Sequence, residues 1–332
     1  MSERGRAARL HLAGALVLIG CLAIGVSIGP VSIDPIAALR APADDPAHVI
    51  LLGARAPRVL LGAVVGGALG LAGAALQALL QNPLACPHVL GISGGAALLA
   101  IVAMIAAPAA PLVVVPAAAF VGAAGTAALV RGVARAGGRV TPHTLLLTGV
   151  VFNAFAAALV TFLNTLADFY KSNSILAWVV GNLTVRGDAW TLAAVATLLL
   201  GLAMLSASAR DLNALGLGEE GASSLGVDVA ASRRRVYVAV AVLIAGAVPV
   251  SGMIGFVGLI VPHGVRLLLG SDQRRVLPAS MWAGAGFLVL ADTAARTVLA
   301  PTELPVGIIT ALAGGPFFLF LLRRQARREL GA

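Results

Sequence analysis

The chain is a succession of long apolar segments separated by short groups of polar residues and prolines. Between Val59 and Val130 it contains no Asp, Glu, Lys or Arg, whereas one membrane-spanning helix needs only about 20 apolar residues. Because strand-like alternation is absent, the pattern predicts an all-α polytopic membrane protein rather than a barrel. We expect ten spans, at about 10–29, 58–80, 90–107, 112–134, 143–166, 190–208, 234–253, 255–269, 277–298 and 306–323.

The boundaries between these spans are predicted from proline, which does not continue a helix and disfavours helical geometry in the residue before it. The eighth candidate is short, so we expect it to be tilted or partly lined by protein. The predicted breaks are Asn82-Pro83, Cys86-Pro87, Pro108 to Pro116, Thr141-Pro142, Pro278 at the start of the ninth span and Pro305 at the start of the tenth.

Composition agrees with a membrane protein, since 59% of the 332 residues are hydrophobic and only 11% are charged. The 39 glycines suit helices that pack closely through small residues. Cys21 and Cys86 both lie in apolar surroundings, so no disulfide framework is indicated. Cys21 follows a stretch that resembles a lipoprotein cleavage box, but the apolar run continues to Gly29, and we therefore keep the first span.

The basic residues are distributed unevenly between the two sides of this topology. With a cytoplasmic N-terminus and ten spans, 17 of the 23 basic residues fall inside, as the positive-inside rule requires. The net charge of +9 is thus explained by the membrane topology. The sequence contains no basic segment interleaved with aromatic residues, the pattern that would indicate nucleic-acid binding. We expect both termini in the cytoplasm, with only Arg40, Arg55, Arg58, Lys171, Arg186 and Arg296 outside.

Three of the outer arginines stand where charge is disfavoured. Arg55 and Arg58 begin the second span, at the positive end of the helix dipole. One interpretation is that they reach lipid phosphates at the interface, and the other is a docking site for an acidic partner. Arg296 would join that site, although Asp292, four residues earlier, offers a partner on the same helix face.

The only sizeable soluble segment on the inner side is 210–235. Its glycines predict two short helices, with Asp211 as an N-cap. The segment is either a solvated loop or the surface on which a cytoplasmic protein acts. Its acids are Asp211, Glu219, Glu220 and Asp228, and its separating glycines are Gly216, Gly218 and Gly221.

The sequence carries no catalytic motif. Lys171 is the single lysine and no glycine-rich loop precedes it, so the chain lacks a phosphate-binding loop and is not expected to hydrolyse ATP. The five histidines show no metal-ligand spacing, so we expect no metal and no cofactor. A secondary carrier or channel, the alternative of another class, would need coupling acids or a selectivity ring, neither of which is seen.

The fifth span has a polar stripe at helical spacing. Asn153, Ala157, Thr161 and Asn164 recur at i, i+4, i+8 and i+11. Such a stripe either forms hydrogen bonds between helices or lines a pathway. The sequence leaves both interpretations open.

Several stretches, in this order, resemble the FecCD/BtuC-like permeases of type II ABC importers over nearly the whole chain. Gln81 and Gln273 depart mildly from that pattern, since arginine and histidine are common at these positions in the family. The stretches are RAPRVLLGAVVGGALGLAGAALQALLQNPLACPHVLGISGGAAL (55–98), LLLTGVVFN (145–153), WVVGNL (178–183), DLNALGLGEEGASSLGV (211–227), GFVGLIVPHGVRLLLGSDQRRVLP (255–278) and ADTAARTVLAPTELPVGIITALAGGPFF (291–318).

The resemblance implies one transmembrane permease domain, residues 1–332, in the bacterial inner membrane. It also implies a second permease subunit, expected to be an identical copy, two ATP-binding-cassette ATPase subunits and a periplasmic substrate-binding protein. The implied site residues are Arg55, Arg58 and Arg296 for docking the binding protein; Asn82, Pro83, Leu84 and Thr141 for the cytoplasmic gate; Asp211, Leu215, Gly218, Glu219 and Glu220 for coupling to the ATPase; and Asn153, Thr161 and Asn164 for the pathway.

The same resemblance implies import of an iron complex. We expect a ferric siderophore, with haem or cobalamin as alternatives. His263 belongs to the family signature GLIVPHGVR, so a haem or metal ligand role is not expected. We interpret it as a hydrogen-bonding group that satisfies backbone freed by Pro262, and we place Arg266 at the cytoplasmic interface.

Overall fold

The computed structural model describes residues 3–107, 109–135, 141–183 and 187–330, and within these ranges it contains helices and no strand. A π-helical turn, Ile50–Arg55, leads into α4, and a 3-10 turn, Pro87–Leu90, precedes α5. The helices are α1 Glu3–Ser27, α2 Pro35–Arg40, α3 Pro46–Val49, α4 Ala56–Leu79, α5 Ile92–Ala106, α6 Val114–Arg135, α7 Pro142–Thr165, α8 Phe169–Val180, α9 Asp188–Leu215, α10 Glu219–Ser224, α11 Val229–Ser251, α12 Val257–Leu269, α13 Gln273–Thr297 and α14 Val306–Leu330.

Each of the ten predicted spans falls on one apolar helix, which confirms the all-α polytopic class. Among the residues that the structure describes, seven segments are long and apolar enough to cross a membrane by length and composition, and they fall on α1, α4, α6, α7, α9, α11 and α13. The apolar parts of α5, α12 and α14 are shorter. The eighth span, α12, has 13 residues and is short, as expected.

Helix α4 is the centre of the bundle and is buried along nearly its whole length. It packs against α9, α11, α12 and α13. A Cβ atom at Gly73 would lie 1.9 Å from the Gly258 carbonyl oxygen of α12, and one at Gly66 would lie 2.3 Å from the Gly284 carbonyl oxygen of α13. The backbones therefore approach as closely as glycine allows, which agrees with packing through small residues.

Two proline boundaries are confirmed and a third is wrong. Thr141 caps α7 in a reciprocal pair with Thr144, and α14 begins directly after Pro305. Pro278, however, lies inside α13 and does not open it. The helix begins five residues earlier because Asp272 accepts a hydrogen bond from the Arg274 amide and acts as the N-cap.

The segment 210–235 differs from the predicted pair of short helices. Helix α9 continues through Leu215, so Asp211 lies inside a helix and is not an N-cap. Its carboxylate instead accepts hydrogen bonds from Ser232 and Arg235 of α11. One short helix, α10, follows. The sequence pattern missed this because the partners of Asp211 lie more than 20 residues further along the chain.

The described helices meet at two ends that differ in charge. At the basic end, α4, α6, α9 and α12 finish and α7, α11 and α13 begin. Contacts there include the Gln81 side chain with the Leu215 carbonyl and Asn213 with Asp272, 2.8 Å apart. At the opposite end, α1 and α13 finish and α4 begins, with α8 nearby. The site residues divide between these ends.

Candidate functional site

The arginines at the opposite end surround one buried carboxylate. Asp292 Oδ1 accepts from Arg58 Nε at 3.0 Å, and its Oδ2 accepts from Arg296 Nε at 2.9 Å. Arg58 also pairs with Glu303 at 2.7 Å. The pairing of Arg296 with Asp292 on one helix face is thus present. We call Arg55, Arg58, Asp292, Arg296 and Glu303 the arginine cluster.

The C-terminus of α1 supplies the remaining partners of the arginine cluster. Arg55 donates to the carbonyl oxygens of Val26, Ser27 and Val31 at 2.7–3.2 Å, and Arg296 donates to Gly25 O at 3.2 Å. Carbonyl groups at a helix C-terminus lack intrahelical partners and carry negative partial charge, so cations stabilise them. These contacts offset the unfavourable position of Arg55 beside the start of α4.

Most side chains of the arginine cluster are buried, which limits the number that a docking partner could contact. Arg55 and Arg296 are only 4% and 3% exposed, and their guanidinium groups are held inside the protein. The Arg58 side chain is 14% exposed and Glu303 is 43% exposed, so these two form its accessible part. The docking role of all three arginines remains a prediction, and Arg55 and Arg296 would have to leave their present partners to fulfil it.

The predicted gate residues occupy the loop after α4 and the first turn of α7. Asn82 Oδ1 accepts from the Leu84 amide at 2.9 Å, which closes a turn around Pro83. Leu84 is exposed. Thr141 is the N-cap of α7. The Gln81 side chain ties the start of this loop to the Leu215 carbonyl at the end of α9.

The far end of the same loop contacts α7 through His88. His88 Nε2 lies 3.0 Å from Asn153 Nδ2. Desolvation by the surrounding protein lowers the pKa of His88 below its usual 6.5, although part of the ring is exposed, and Nε2 of the neutral imidazole can accept from the amide. The sequence did not reveal this role, because a lone histidine carries no signal for a partner 65 residues away.

The polar stripe on α7 contains groups with different roles. Asn153 pairs with His88, and Asn164 Oδ1 accepts from Ser172 Oγ of α8 at 3.1 Å. The Thr161 hydroxyl donates to Ala157 O of its own helix and is exposed. Two of the three predicted residues therefore form hydrogen bonds to other elements, and a pathway-lining role remains a prediction for all three.

The coupling residues lie on adjoining turns at the basic end. Gly218, with φ +92°, is the N-cap of α10. Glu219 and Glu220 follow it in the first turn, and Glu219 pairs with Arg233 of α11 at 2.6 Å. Leu215 is buried, and its carbonyl is the one that Gln81 contacts. The coupling residue Leu215 thus contacts Gln81, the residue directly before the gate residue Asn82.

The interpretation of His263 as a hydrogen-bonding group is wrong. Proline 262 leaves the carbonyl of Gly258 without its helical donor, and Gln77 Nε2 of α4 donates to that oxygen at 3.4 Å and to Leu259 O at 3.2 Å. The His263 ring instead meets Phe317 edge-on at 6.5 Å. Arg266 also contacts α4, through the Gln77 side-chain oxygen and Ala74 O.

A family model described as the FecCD transport family matches residues 16–324. The hemin transport system permease protein of Yersinia pestis is 40% identical, covering 97% of this chain and 98% of its own. The cobalamin import system permease protein of Halobacterium salinarum is 44% identical over 86% of this chain and 76% of its own. A solved structure assigned to the metal-chelate type of ABC transporter, in an inward-facing conformation, matches with a TM-score of 0.82 and 30% identity, covering 96% of this chain and 99% of that one.

These matches extend over nearly all of the described helices, including both ends of the bundle. Permeases of this kind are not enzymes themselves, because a separate subunit hydrolyses ATP. The alternative of a secondary carrier or channel is therefore set aside. The chain belongs to the FecCD transport family and is a multi-pass permease of an ABC transporter.

Proposed function

We propose that this permease imports an iron complex, with a ferric siderophore as the first candidate and haem as the second. The observation that carries the proposal is the full-length similarity to permeases named for iron complexes. These are the hemin permease and the Fe(3+) dicitrate permease of Escherichia coli, which is 36% identical over 93% of this chain. Cobalamin remains the third candidate, because a relative of similar identity is named for it.

The substrate is tested by uptake in a bacterial host that lacks its own siderophore, haem and cobalamin permeases. The permease is expressed with the ATPase and binding protein encoded beside it, and cells are offered radiolabelled ferric siderophores, haem or cobalamin. We expect iron from a siderophore to accumulate in an ATP-dependent manner. Uptake of haem alone would select the second candidate, and uptake of cobalamin alone would refute import of an iron complex.

We propose that the chain forms one permease domain that pairs with a second copy of itself along α7. Most of the α7 surface is unburied in the single chain, and its exposed residues include Val151, Phe155 and Phe162. A second copy would cover part of this apolar surface, and the pathway would run between the two α7 helices. Asn153, Thr161 and Asn164 would then lie beside the pathway.

We further propose that the basic end faces the cytoplasm of a cell bounded by this inner membrane. The positive-inside rule favours that orientation, because Arg131, Arg135, Arg210 and Arg233 to Arg235 lie at this end. Two ATPase subunits would bind there, against α10. A periplasmic binding protein would dock at the opposite end, where Arg58 and Glu303 are accessible.

The contacts at the basic end provide a route from the ATPase to the gate. A movement of α10 would displace Leu215, whose carbonyl is held by the Gln81 side chain. Gln81 begins the loop that contains Asn82, Pro83 and Leu84. That loop ends at His88, which contacts Asn153 on α7. ATP binding would in this way move both the gate loop and the pathway helix.

A further inference from the structure

A cavity of about 660 Å³ lies at the basic end, between the last turns of α6, the first turns of α7 and α11, and α10. Four arginines line it, Arg131 and Arg135 from α6 and Arg233 and Arg234 from α11. Two acids, Glu219 and Asp228, lie at the same cavity. The lining therefore carries a net charge of 4 − 2 = +2.

The two acids are already engaged by other groups. Glu219 pairs with Arg233, and Asp228 caps α11 by accepting from the Ala231 amide at 2.9 Å. Among the described residues, no acidic side chain pairs with Arg131, Arg135 or Arg234. In addition, the Nε of Arg233 is buried without an acceptor. Like charges gathered around a cavity, with the buried Nε of Arg233 lacking an acceptor, favour binding of an anion.

The chemistry of the lining selects a phosphate group. Arginine forks bind phosphate oxygens with two parallel N–H donors. The first turn of α11, Val229 to Ala231, also lines the cavity, and a helix N-terminus adds positive partial charge, although Asp228 already accepts from the Ala231 amide. The volume is larger than one phosphate ion needs and is in the range of pockets for organic ligands.

The position of the cavity indicates the source of that phosphate. The cavity lies between the ends of α6, α7 and α11, which are all long and apolar enough to cross a membrane. A basic pocket between the ends of membrane helices suits the headgroup of an anionic lipid. We propose that Arg131, Arg135, Arg233 and Arg234 bind the phosphate of an anionic phospholipid at the basic end of the bundle.

The proposal is tested by native mass spectrometry of the full-length protein, titrated with phosphatidylglycerol or phosphatidylcholine. We expect wild type to prefer phosphatidylglycerol. The double variant Arg131→Gln/Arg234→Gln should bind it about 30-fold more weakly, because each arginine near a headgroup contributes about fivefold. The matched control Arg210→Gln/Arg275→Gln removes the same charge outside the cavity and should keep the preference.

Two further arms make the outcome decisive. Arg131→Lys/Arg234→Lys retains the charge and should retain the preference for phosphatidylglycerol, even if the glutamine variant fails to fold. Equal binding of the two lipids by wild type, or equal losses in the glutamine and control variants, would overturn the proposal. Displacement of phosphatidylglycerol by millimolar inorganic phosphate would assign the site to free phosphate and would overturn the lipid source. None of these readouts depends on transport.

Discussion

The side-chain amide of Gln77 donates to the carbonyl oxygen of Gly258, the carbonyl that Pro262 deprives of its helical hydrogen bond. Helix α12 is thereby held to α4 at the point where a Cβ on Gly73 would meet the same carbonyl. The oxygen of the Gln77 side chain accepts from Arg266. One glutamine side chain therefore supplies a donor to the helix that Pro262 interrupts and an acceptor to the Arg266 guanidinium.

We predict that Gln77→Leu destabilises the protein by about 1–3 kcal/mol, because it leaves buried polar groups without partners. Pro262→Ala restores the amide that the Gly258 carbonyl lacks, so Gln77→Leu should cost less in that background. The measurement is thermal unfolding of all four members of the cycle in detergent. Strict additivity of the two changes would show that Gln77 does not substitute for the missing amide.

The contact between His88 and Asn153 should make stability depend on pH. The folded-state pKa of His88 lies below its unfolded value of 6.5 because desolvation by the surrounding protein disfavours the charged form, and solvent at the exposed part of the ring weakens this effect. The unfolded state therefore binds more protons than the folded state below pH 6.5. The free energy of unfolding has its full value above that pH and decreases as the pH falls toward the folded-state pKa.

We expect the Tm to decrease between pH 7 and pH 5, and His88→Gln to flatten this part of the profile. The matched control is the same substitution at His143, which is also exposed and lies in the first turn of α7, and the His88→Gln profile is compared with it. Thermal unfolding at a series of pH values is the measurement. A His88→Gln profile as steep as that of wild type would contradict the prediction.

The link between Gln81 and the Leu215 carbonyl is expected to transmit ATPase movement to the gate loop. Gln81→Leu should leave association with the ATPase unchanged but lower substrate uptake per ATP hydrolysed. By contrast, Glu219→Arg/Glu220→Arg should lower ATPase association and uptake together, because it reverses charge on the exposed turn of α10. Co-purification and coupled uptake assays distinguish the two effects. If Gln81→Leu couples normally, this contact is only structural.

The buried carboxylate of Asp292 should be important for stability, whereas Glu303 should not. Asp292→Asn leaves Arg58 and Arg296 without their shared counter-charge, and breaking a buried ion pair costs about 3–5 kcal/mol. Glu303 is much more exposed, so Glu303→Gln should cost at most about 1 kcal/mol. Thermal unfolding of the two variants tests this, and similar losses in both would show that the cluster is not organised around Asp292.

The sequence predicts the ten apolar helices well because each rests on local hydrophobicity and on proline. The failures have a common cause, since they depend on residues distant in sequence. Pro278 lies inside α13 because Asp272 caps the helix earlier, and Asp211 is held by α11. The short helix α8 was missed because it begins only three residues after α7 ends, and its contact through Ser172 is visible only in three dimensions.

The sequence predicts which arginines belong to the candidate site, but it does not predict their burial or their hydrogen-bond partners. The three outer arginines are conspicuous because topology and the helix dipole disfavour them. Their partners cannot be recognised in the sequence, since they are backbone carbonyl groups at the end of α1 and every residue type has one. Arg55 is therefore expected at the surface from its position in the chain, yet it is buried against Val26, Ser27 and Val31.

This burial changes how the docking prediction must be tested. Substituting all three arginines with glutamate would place negative charge against the carbonyls of α1 and beside Asp292. Loss of docking would then report unfolding of the opposite end. Arg58 is the informative position, because it is the most accessible of the three arginines and pairs with the exposed Glu303.

We predict that Arg58→Gln weakens docking of the binding protein and lowers stability less than Arg55→Gln, because Arg296 keeps its contacts with Asp292 and with Gly25 of α1. A single exposed pair contributes about 0.2–1 kcal/mol, and two copies in a dimer would present Arg58 twice. The expected loss in affinity is therefore several-fold, and it should diminish as salt rises, because exposed charges are screened. Affinity at low and physiological salt, with thermal unfolding of each variant, provides the test. If Arg58→Gln binds like wild type at low salt, the arginine cluster is structural, and its arginines serve only to hold α1, α4 and α13 together.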